Sequence, residues 1–215
     1  MSISKANLAL KPYSLHHRSV AEVVESVGFI RGLRDLVAHN TEELAVDFPN
    51  VPERYRTMYE SAKSVRRAIN NPDLDAFAIV HDPKWRIGHE STATFFENLI
   101  SDSDTGGTLW IPTKPEPVGV ATLVGEEVDP KTAYAAWWVD KDRQNQGVGT
   151  FAASALVLVA RQKGLERVNA YVRPENEPST SVVEELGFKA VGKSAVVDLG
   201  DNVTAPRQKF SLELA

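Results

Sequence analysis

The stretch QNQGVGT, residues 144–150, has the residue types of an anion-binding loop. It follows an apolar run that ends at Val139 and precedes a second apolar run that begins at Phe151, so a polar turn joins a predicted strand to a predicted helix. The first backbone N–H groups of a helix have no partner within it, and the helix dipole adds partial positive charge there. Glycine lets the backbone approach a phosphate closely. The amides from Asn145 to Thr150 are therefore predicted to converge on a pyrophosphate.

The two common nucleotide-binding loops have a different pattern. No lysine follows Gly147 and Gly149, so these residues do not form an ordinary P-loop. The third glycine of the dinucleotide-binding fingerprint is replaced by Ala152. Phosphate binding is expected here, but neither of these motifs provides it.

A second group of residues lies downstream of this loop. Asn176 and Ser179 form an N-x-x-S pattern after the next predicted strand, while Gln144, Gly147 and Gly149 form Q-x-x-G-x-G. Together, the two patterns resemble the Q/R-x-x-G-x-G/A signature and the following motif of the GNAT superfamily of acyl-CoA N-acyltransferases.

The resemblance covers about residues 117–192 and is more specific than either motif alone. The tripeptide LGF at 186–188 follows the second motif at the usual distance, and the segment AWWV at 136–139 precedes the first. These features look most like the branch that acetylates the N-termini of ribosomal proteins.

The resemblance implies a site for coenzyme A between two strands that splay apart. The backbone at Trp138 and Val139 would pair with the pantetheine arm and stabilise the thioester oxyanion. Asn176 would bond the arm, and Ser179 would lie near the sulfur. The residues implied to hold the pyrophosphate are Gln144, Asn145, Gln146, Gly147, Val148, Gly149 and Thr150.

Acyl transfer to an amine also needs proton handling, because an alkylammonium has a pKa of about 10.4 and the leaving thiol one of about 8.5. The family's tyrosine acid falls on Val183, so Ser179, or a water that it holds, is predicted to take its place. The family's glutamate base falls close to Tyr134. Glu126 and Glu127, at the end of the preceding strand, are further candidates for the base.

The amino-acid composition excludes several classes of function. The chain has 215 residues, 42% hydrophobic and 25% charged, with a net charge of −5 and no cysteine. Cysteine chemistry is therefore excluded, and the acidic balance argues against a nucleic-acid ligand and favours a cationic over an anionic substrate.

The longest apolar run, 151–160, is too short for a membrane span of about 20 residues. With no signal peptide pattern at its start, we expect a soluble cytoplasmic protein, either a monomer or a homodimer. His89–Glu90 lacks the second histidine of a zinc helix motif, so no metal is expected.

Periodicity predicts elements along the whole chain. Gly28 and Gly32 are expected to break the first helix, and Pro52 to begin the second, whose apolar stripe includes Tyr59. The segment 81–116 is interpreted as an insertion that shapes the acceptor side, with short strands at 91–96 and 108–111. Predicted strands lie at 7–14, 75–80, 117–125, 132–139, 166–172, 188–199 and 207–214, and later helices at 151–163 and 178–186.

Neighbouring tryptophans in the strand before the loop point to opposite faces of the sheet. One of Trp137 and Trp138 is therefore expected in the core and the other beside the acceptor.

The combined prediction is a single domain over residues 1–215 with an α/β fold of the α+β type. It has a GNAT-like mixed, mostly antiparallel sheet, a parallel splayed strand pair at the cofactor site, and flanking helices. The implied activity is acetyl transfer from acetyl-CoA to a primary amine of a small molecule, peptide or protein, by direct attack in a ternary complex. The alternatives are a non-catalytic acyl-CoA-binding or regulatory member of the same fold, and a nucleotide-binding module for ATP or NAD.

Overall fold

The computed structural model describes residues 8–12, 20–81, 116–198 and 204–214. The strands are β1 (Leu8–Pro12), β2 (Leu74–His81), β3 (Glu116–Gly125), β4 (Thr132–Val139), β5 (Arg167–Val172), β6 (Lys189–Asp198) and β7 (Thr204–Glu213). The helices are α1 (Val20–His39), α2 (Thr41–Asp47), α3 (Val51–Arg54), α4 (Met58–Ile69), α5 (Val148–Gln162) and α6 (Glu177–Glu185).

The described strands form one mixed sheet in the order β1-β2-β3-β4-β5-β7-β6. Neighbouring strands are antiparallel except β4 and β5, which run parallel because α5 crosses between them. The predicted fold class, with its single parallel pair and its closing antiparallel pair β6–β7, is confirmed. That the whole chain is one domain stays a prediction.

Helices cover both faces of the sheet, and the alternation of strand side chains divides the core between them. On one face, α5 buries Leu156 against Ala133 and Ala135 of β4. On the other face, α1 and α4 bury Leu33 and Val65 against β2 and β3. The central strands are thus held rigidly from both sides.

The prediction that glycines break the first helix is wrong. Helix α1 continues through Gly28 and Gly32 to His39. A Cβ at position 32 would lie 3.1 Å from Cγ of Pro117, so a glycine there lets the helix pack closely on the start of β3. Burial of Leu33 and Leu36 outweighs the weak helix propensity of glycine, which costs about 1 kcal/mol.

The helix predicted to begin at Pro52 is divided into two. Pro52 does lie in the first turn of α3, but that helix ends at Arg54. Helix α4 begins after Thr57, whose side-chain oxygen accepts a hydrogen bond from the backbone N–H of Glu60 at 3.2 Å. Tyr59, predicted on the buried stripe, is 76% exposed, because the interruption changes which face of the helix meets the sheet.

The second half of the chain follows the predicted order of elements. Helices α5 and α6 are each followed by a left-handed glycine, Gly164 with φ +70° and Gly187 with φ +88°, as expected for helix stops. The predicted short strands at 91–96 and 108–111, together with His89 and Glu90, lie outside the described residues. None of the helices in the described ranges has the length and apolar character that a membrane span requires.

Candidate active site

Strands β4 and β5 pair over a short distance and then separate. Their register runs from Thr132–Arg167 to Tyr134–Asn169, whereas β4 continues to Val139 and β5 to Val172. The sheet therefore contains a V-shaped gap, here called the split, which closes at Tyr134 and opens toward the end of β4.

The direction of the backbone groups of β4 follows from hydrogen bonds at its two ends. The carbonyl of Lys131 accepts from the N–H of Arg167 at 3.2 Å, and the N–H of Asp140 donates to the carbonyl of Val118 at 2.8 Å. Because backbone groups alternate sides along a strand, odd-numbered residues face β5 and even-numbered residues face β3. Trp137 and Val139 thus present their backbone groups to the split, and Trp138, predicted to do so, turns its own toward β3.

The glycine loop lies at the open end of the split. Asn145 has φ +56° and Gly147 has φ +77°, so two left-handed residues curl the backbone just before α5 begins at Val148. Such a curl directs successive N–H groups toward one point, which is a suitable site for an anion. Val148 is 1% exposed, so only its backbone N–H is available to a ligand, and the side chain belongs to the core.

Residues at the end of α1 bind the segment that leads into this loop. Asn40 is 2% exposed, donates to Oδ1 of Asp140 at 3.0 Å and accepts from the N–H of Lys141 at 2.7 Å. Nε2 of His39 lies 2.9 Å from Oδ2 of Asp142. Side chains of Gln144 and Gln146 bond carbonyls within the same segment, that of Val139 at 3.4 Å and that of Asp142 at 3.1 Å. These contacts hold the loop in shape without using its glycine backbone.

The N-x-x-S motif forms the start of α6. Oδ1 of Asn176 accepts a hydrogen bond from the N–H of Ser179 at 3.1 Å, so Asn176 is the helix cap. Nδ2 of Asn176 donates to Oδ2 of Asp47 at 3.3 Å. Ser179 is half-buried, and its hydroxyl does not cap the helix, so the hydroxyl is not committed to that role.

Four side chains gather where the split closes, on the face that carries α1 and α4. The rings of Tyr134 and Tyr171 stack with centroids 5.4 Å apart, and the carboxylate of Glu126 lies near the hydroxyl of Tyr134. Asn169 is 1% exposed, and neither its amide nitrogen nor its amide oxygen has a hydrogen-bond partner among the described residues. Burying an amide without partners is costly, so Asn169 is suited to meet polar groups of a substrate.

A cavity of about 350 Å³ lies on the same face, beside β4. Its floor includes Ala136 and Trp138, and its walls include Phe48 and Tyr55 together with one face of α4. Trp137, the neighbour of Trp138, packs against the core under α5. As predicted, adjacent tryptophans thus serve opposite faces of the sheet, and the cavity borders the strand that forms one side of the split.

A family model described as an acetyltransferase (GNAT) domain matches residues 64–189, more than half of the chain. The chain belongs to this family. The protein is therefore an acetyl-CoA-dependent N-acyltransferase, as the paired motifs imply.

Relatives of this acetyltransferase agree with the assignment. Peptidyl-lysine N-acetyltransferase YjaB of Salmonella typhimurium is 30% identical over 126 residues, which are 54% of this chain and 79% of that protein. Among solved structures, RimL, a ribosomal-protein alpha-N-acetyltransferase in complex with coenzyme A, aligns with a TM-score of 0.67 and 17% identity over 97% of this chain and 95% of its own. A Salmonella typhimurium acetyltransferase that modifies the N-terminal serine of a 50S ribosomal protein aligns with a TM-score of 0.64 and 17% identity over the whole of both chains. The two structural alignments support the fold.

Several predicted residues of the acetyltransferase thus lie around one gap, and others do not. The loop residues and Trp137–Val139 border the open end of the split, and Tyr134 lies at its closed end. Glu127 is an exposed turn residue, whereas its neighbour Glu126 contacts Tyr134. Sequence reasoning missed Asn169, because nothing in the motif RVNAYV distinguishes a buried asparagine without partners from an ordinary strand residue.

Tyr134 should remain protonated over the working range of the enzyme. Burial raises the pKa of Tyr134 above its usual value of 10.0, and the hydrogen bond to Glu126 and the neighbouring Tyr171 raise it further. A raised pKa means that the folded protein holds this proton more tightly than the unfolded chain does. Stability is therefore lost as the pH rises above about 10.

We accordingly expect the melting temperature of Tyr134→Phe to fall less steeply than that of the wild type between about pH 9.5 and 11.5. Tyr59→Phe, at a 76% exposed position, is the control and should keep the wild-type slope. Equal slopes in all three proteins would show that the Tyr134 hydroxyl is not held as described.

Proposed function

We propose that this acetyltransferase binds the pantetheine arm of acetyl-CoA in the split and a primary amine in the adjoining cavity, and that the amine attacks the thioester directly. The observation that carries the proposal is the arrangement around β4. The loop lies at the open end of the split, while the cavity adjoins β4, the strand that forms one side of it. A cofactor in the split and an acceptor in the cavity would meet along the same strand.

The reaction forms an N–C bond and breaks the C–S bond, so negative charge passes from the carbonyl oxygen to the sulfur. Backbone N–H groups that face the split, at Trp137 or Val139, are suited to stabilise the oxyanion, because fixed dipoles act strongly in a site that excludes water. Asn169 offers a further donor and acceptor for polar groups of the bound molecules at the closed end of the split.

Two proton transfers complete the step. The carboxylate of Glu126, which lies near the hydroxyl of Tyr134, is the better placed of the two candidate glutamates to accept the amine proton, directly or through water. Tyr134 stays neutral and orients this carboxylate as a hydrogen-bond donor. The hydroxyl of Ser179 donates a hydrogen bond to the thiolate or holds a water that delivers the proton with which coenzyme A leaves.

The acceptor proposed is the amine of a peptide end, a lysine side chain or a small molecule. The volume of about 350 Å³ suits one amino-acid residue or a compound of similar size. Relatives act on lysine in peptides and on protein N-termini, according to their names, which supports this class of acceptor.

The test is release of free coenzyme A from acetyl-CoA with a panel of peptides and small amines, alongside calorimetry for acetyl-CoA. Turnover with at least one amine, together with saturable binding, is the expected result. Binding without turnover across the panel would instead favour a non-catalytic acyl-CoA-binding protein. Binding of ATP or NAD in place of acetyl-CoA would favour a nucleotide-binding module.

Ser179→Ala is expected to lower kcat by about 10²-fold, the lower end of the range for a positioned proton donor, and to leave acetyl-CoA affinity nearly unchanged. The melting temperature should also be unchanged, because the cap of α6 is the side chain of Asn176. Both quantities are to be measured on one preparation, with an amine already shown to be acetylated.

A variant that lacks the helix cap serves as the comparison for Ser179→Ala. Asn176→Ala removes the helix cap and should lower stability by about 1 kcal/mol. If Ser179→Ala kept the wild-type kcat, the serine would have no part in the reaction, and the thiolate would leave by direct protonation from solvent.

A further inference from the structure

We infer that the acceptor of this enzyme carries an anionic group, a carboxylate or a phosphate, on an apolar or aromatic body. The inference rests on the proposed use of the cavity as the acceptor site. Among the described residues that line the cavity, the charged ones are Arg54 and Arg67, and no aspartate or glutamate joins them. Arg54 is already engaged in a contact of its own, so the charge that matters for a ligand is that of Arg67. The cavity is therefore cationic in a protein whose net charge is −5.

The arginines lie on the wall that faces β4 across the cavity. Arg67 shares one face of α4 with Ser64 and Ala68, a spacing of three to four residues that brings these side chains to the same lining, and Asn71 lies just past the end of the helix. Arg54 ends α3, beside Tyr55. Ala136 and Trp138 form the floor at the strand bordering the split. An acceptor that spans the cavity would thus place one end at Arg67 and the other near the thioester.

Arginine is suited to this role because its guanidinium binds carboxylate and phosphate with two parallel hydrogen bonds. None of the described carboxylates pairs with Arg67, whereas Arg56 on the preceding turn lies close to Glu53 and Glu60. The positive charge of Arg67 therefore remains available to an incoming anion.

The same charges favour the reactive form of the acceptor. Nearby cations lower the pKa of an amine, because they disfavour its protonated form. A bound acceptor would be anchored by its anionic group while its amine loses the proton that prevents attack. Aromatic walls at Phe48, Tyr55 and Trp138 suit an apolar or aromatic body between the two ends. The preference for cationic substrates expected from net charge is thus reversed at this site.

The experiment compares acceptors that share an aminoethyl-phenyl body. The carboxylate arm uses 4-(2-aminoethyl)benzoate against 4-(2-aminoethyl)benzamide, and the phosphate arm uses tyramine phosphate against tyramine. In at least one arm, kcat/KM should be about tenfold or more higher for the anionic member, and the larger ratio identifies the preferred anion. Equal or lower kcat/KM for both anionic members would overturn the inference.

Substitution of a single arginine connects the preference to the cavity. Arg67→Gln should remove most of the preference, and Arg67→Glu should reverse it in favour of 4-(2-aminoethyl)-N,N,N-trimethylanilinium. Arg66→Gln is the matched control, because Arg66 is an exposed arginine of the same helix turn that does not line the cavity. A reversed preference cannot result from misfolding, and an unchanged preference in Arg67→Glu would contradict the assignment.

The outcomes separate the two proposals. Acetylation of the neutral members at rates equal to the anionic ones would leave the acetyltransferase function intact and remove the anionic preference. Absence of coenzyme A release with every acceptor, while acetyl-CoA still binds, would count against the proposed function itself and with it against the acceptor class.

Discussion

Gly147→Glu is expected to abolish acetyl-CoA binding, with the dissociation constant raised at least about 100-fold. Gly147 precedes α5 in the left-handed conformation, at φ +77°, where the loop curls around the proposed pyrophosphate site. A glutamate there adds a side chain and a negative charge at the point where the N–H groups converge. Like charges repel and the added side chain occupies the same space, so the loss of cofactor affinity should exceed any loss of stability.

Gly164→Glu is the matched control for this substitution. Gly164 is also left-handed, with φ +70°, and a side chain there would enter open space beyond the other end of α5. Both variants carry the same backbone strain, of order 1 kcal/mol, and the same added charge. Calorimetry should show normal acetyl-CoA affinity for Gly164→Glu.

Near-normal acetyl-CoA affinity in a folded Gly147→Glu variant would remove the loop from the cofactor site. Equal loss of affinity in both variants would mean that strain or net charge, rather than position, weakens binding. Melting temperatures of the two variants should agree within a few degrees, which makes the comparison of affinities direct.

The loop and the strand order could be predicted because local sequence determines them. Glycine at a left-handed position, a polar segment between two apolar runs, and a helix stop at Gly164 all depend on neighbours in the chain. The parallel pair followed from the alternation of strands and helices in the second half. These features need no knowledge of which distant residues meet.

Other features depend on contacts between residues far apart in the sequence. The cavity combines residues in and around α3 and α4 with residues of β2, β3 and β4, and Asn40 reaches a loop 100 residues later. Asn169 is notable only because its surroundings leave its amide without partners. No periodicity in a single sequence records such contacts, so the acceptor side could not be predicted as the cofactor side was.

Trp138 is predicted to present its backbone to the split, but the structure places Trp137 there, and the reason is similar. A resemblance places the right strand beside the cofactor, but a shift of one residue reverses the direction of every backbone group in it. The hydrogen bonds at the ends of β4, from Arg167 to Lys131 and from Asp140 to Val118, show which residues face the split.

Asp47 lies at the centre of a polar network that the sequence did not indicate. Its carboxylate lies 3.2 Å from Nε of Arg173 and 3.6 Å from a guanidinium nitrogen of Arg207, and it accepts from Asn176 at 3.3 Å. The side chain of Arg207 is only 4% exposed, so its charge depends on this carboxylate. The network joins the end of α2, next to the cavity, to β7 and to the cap of α6.

Asp47→Ala is expected to lower the free energy of unfolding by about 3 kcal/mol, because a buried guanidinium loses its counterion. For a chain of this size, that corresponds to a fall in melting temperature of about 6–12 °C. Asp35→Ala, which removes an exposed partner of Arg34, is the control and should change stability by less than about 0.5 kcal/mol.

A second substitution tests the cause of this loss. In the Asp47→Ala background, Arg207→Met replaces the stranded charge by an apolar side chain of similar length and should restore part of the lost stability, as removal of both members of a buried pair often does. Urea unfolding of the single and double variants measures the coupling. If Asp47→Ala were no less stable than Asp35→Ala, or if Arg207→Met lowered stability further by its full single-variant amount, the buried charge would not be what the network neutralises.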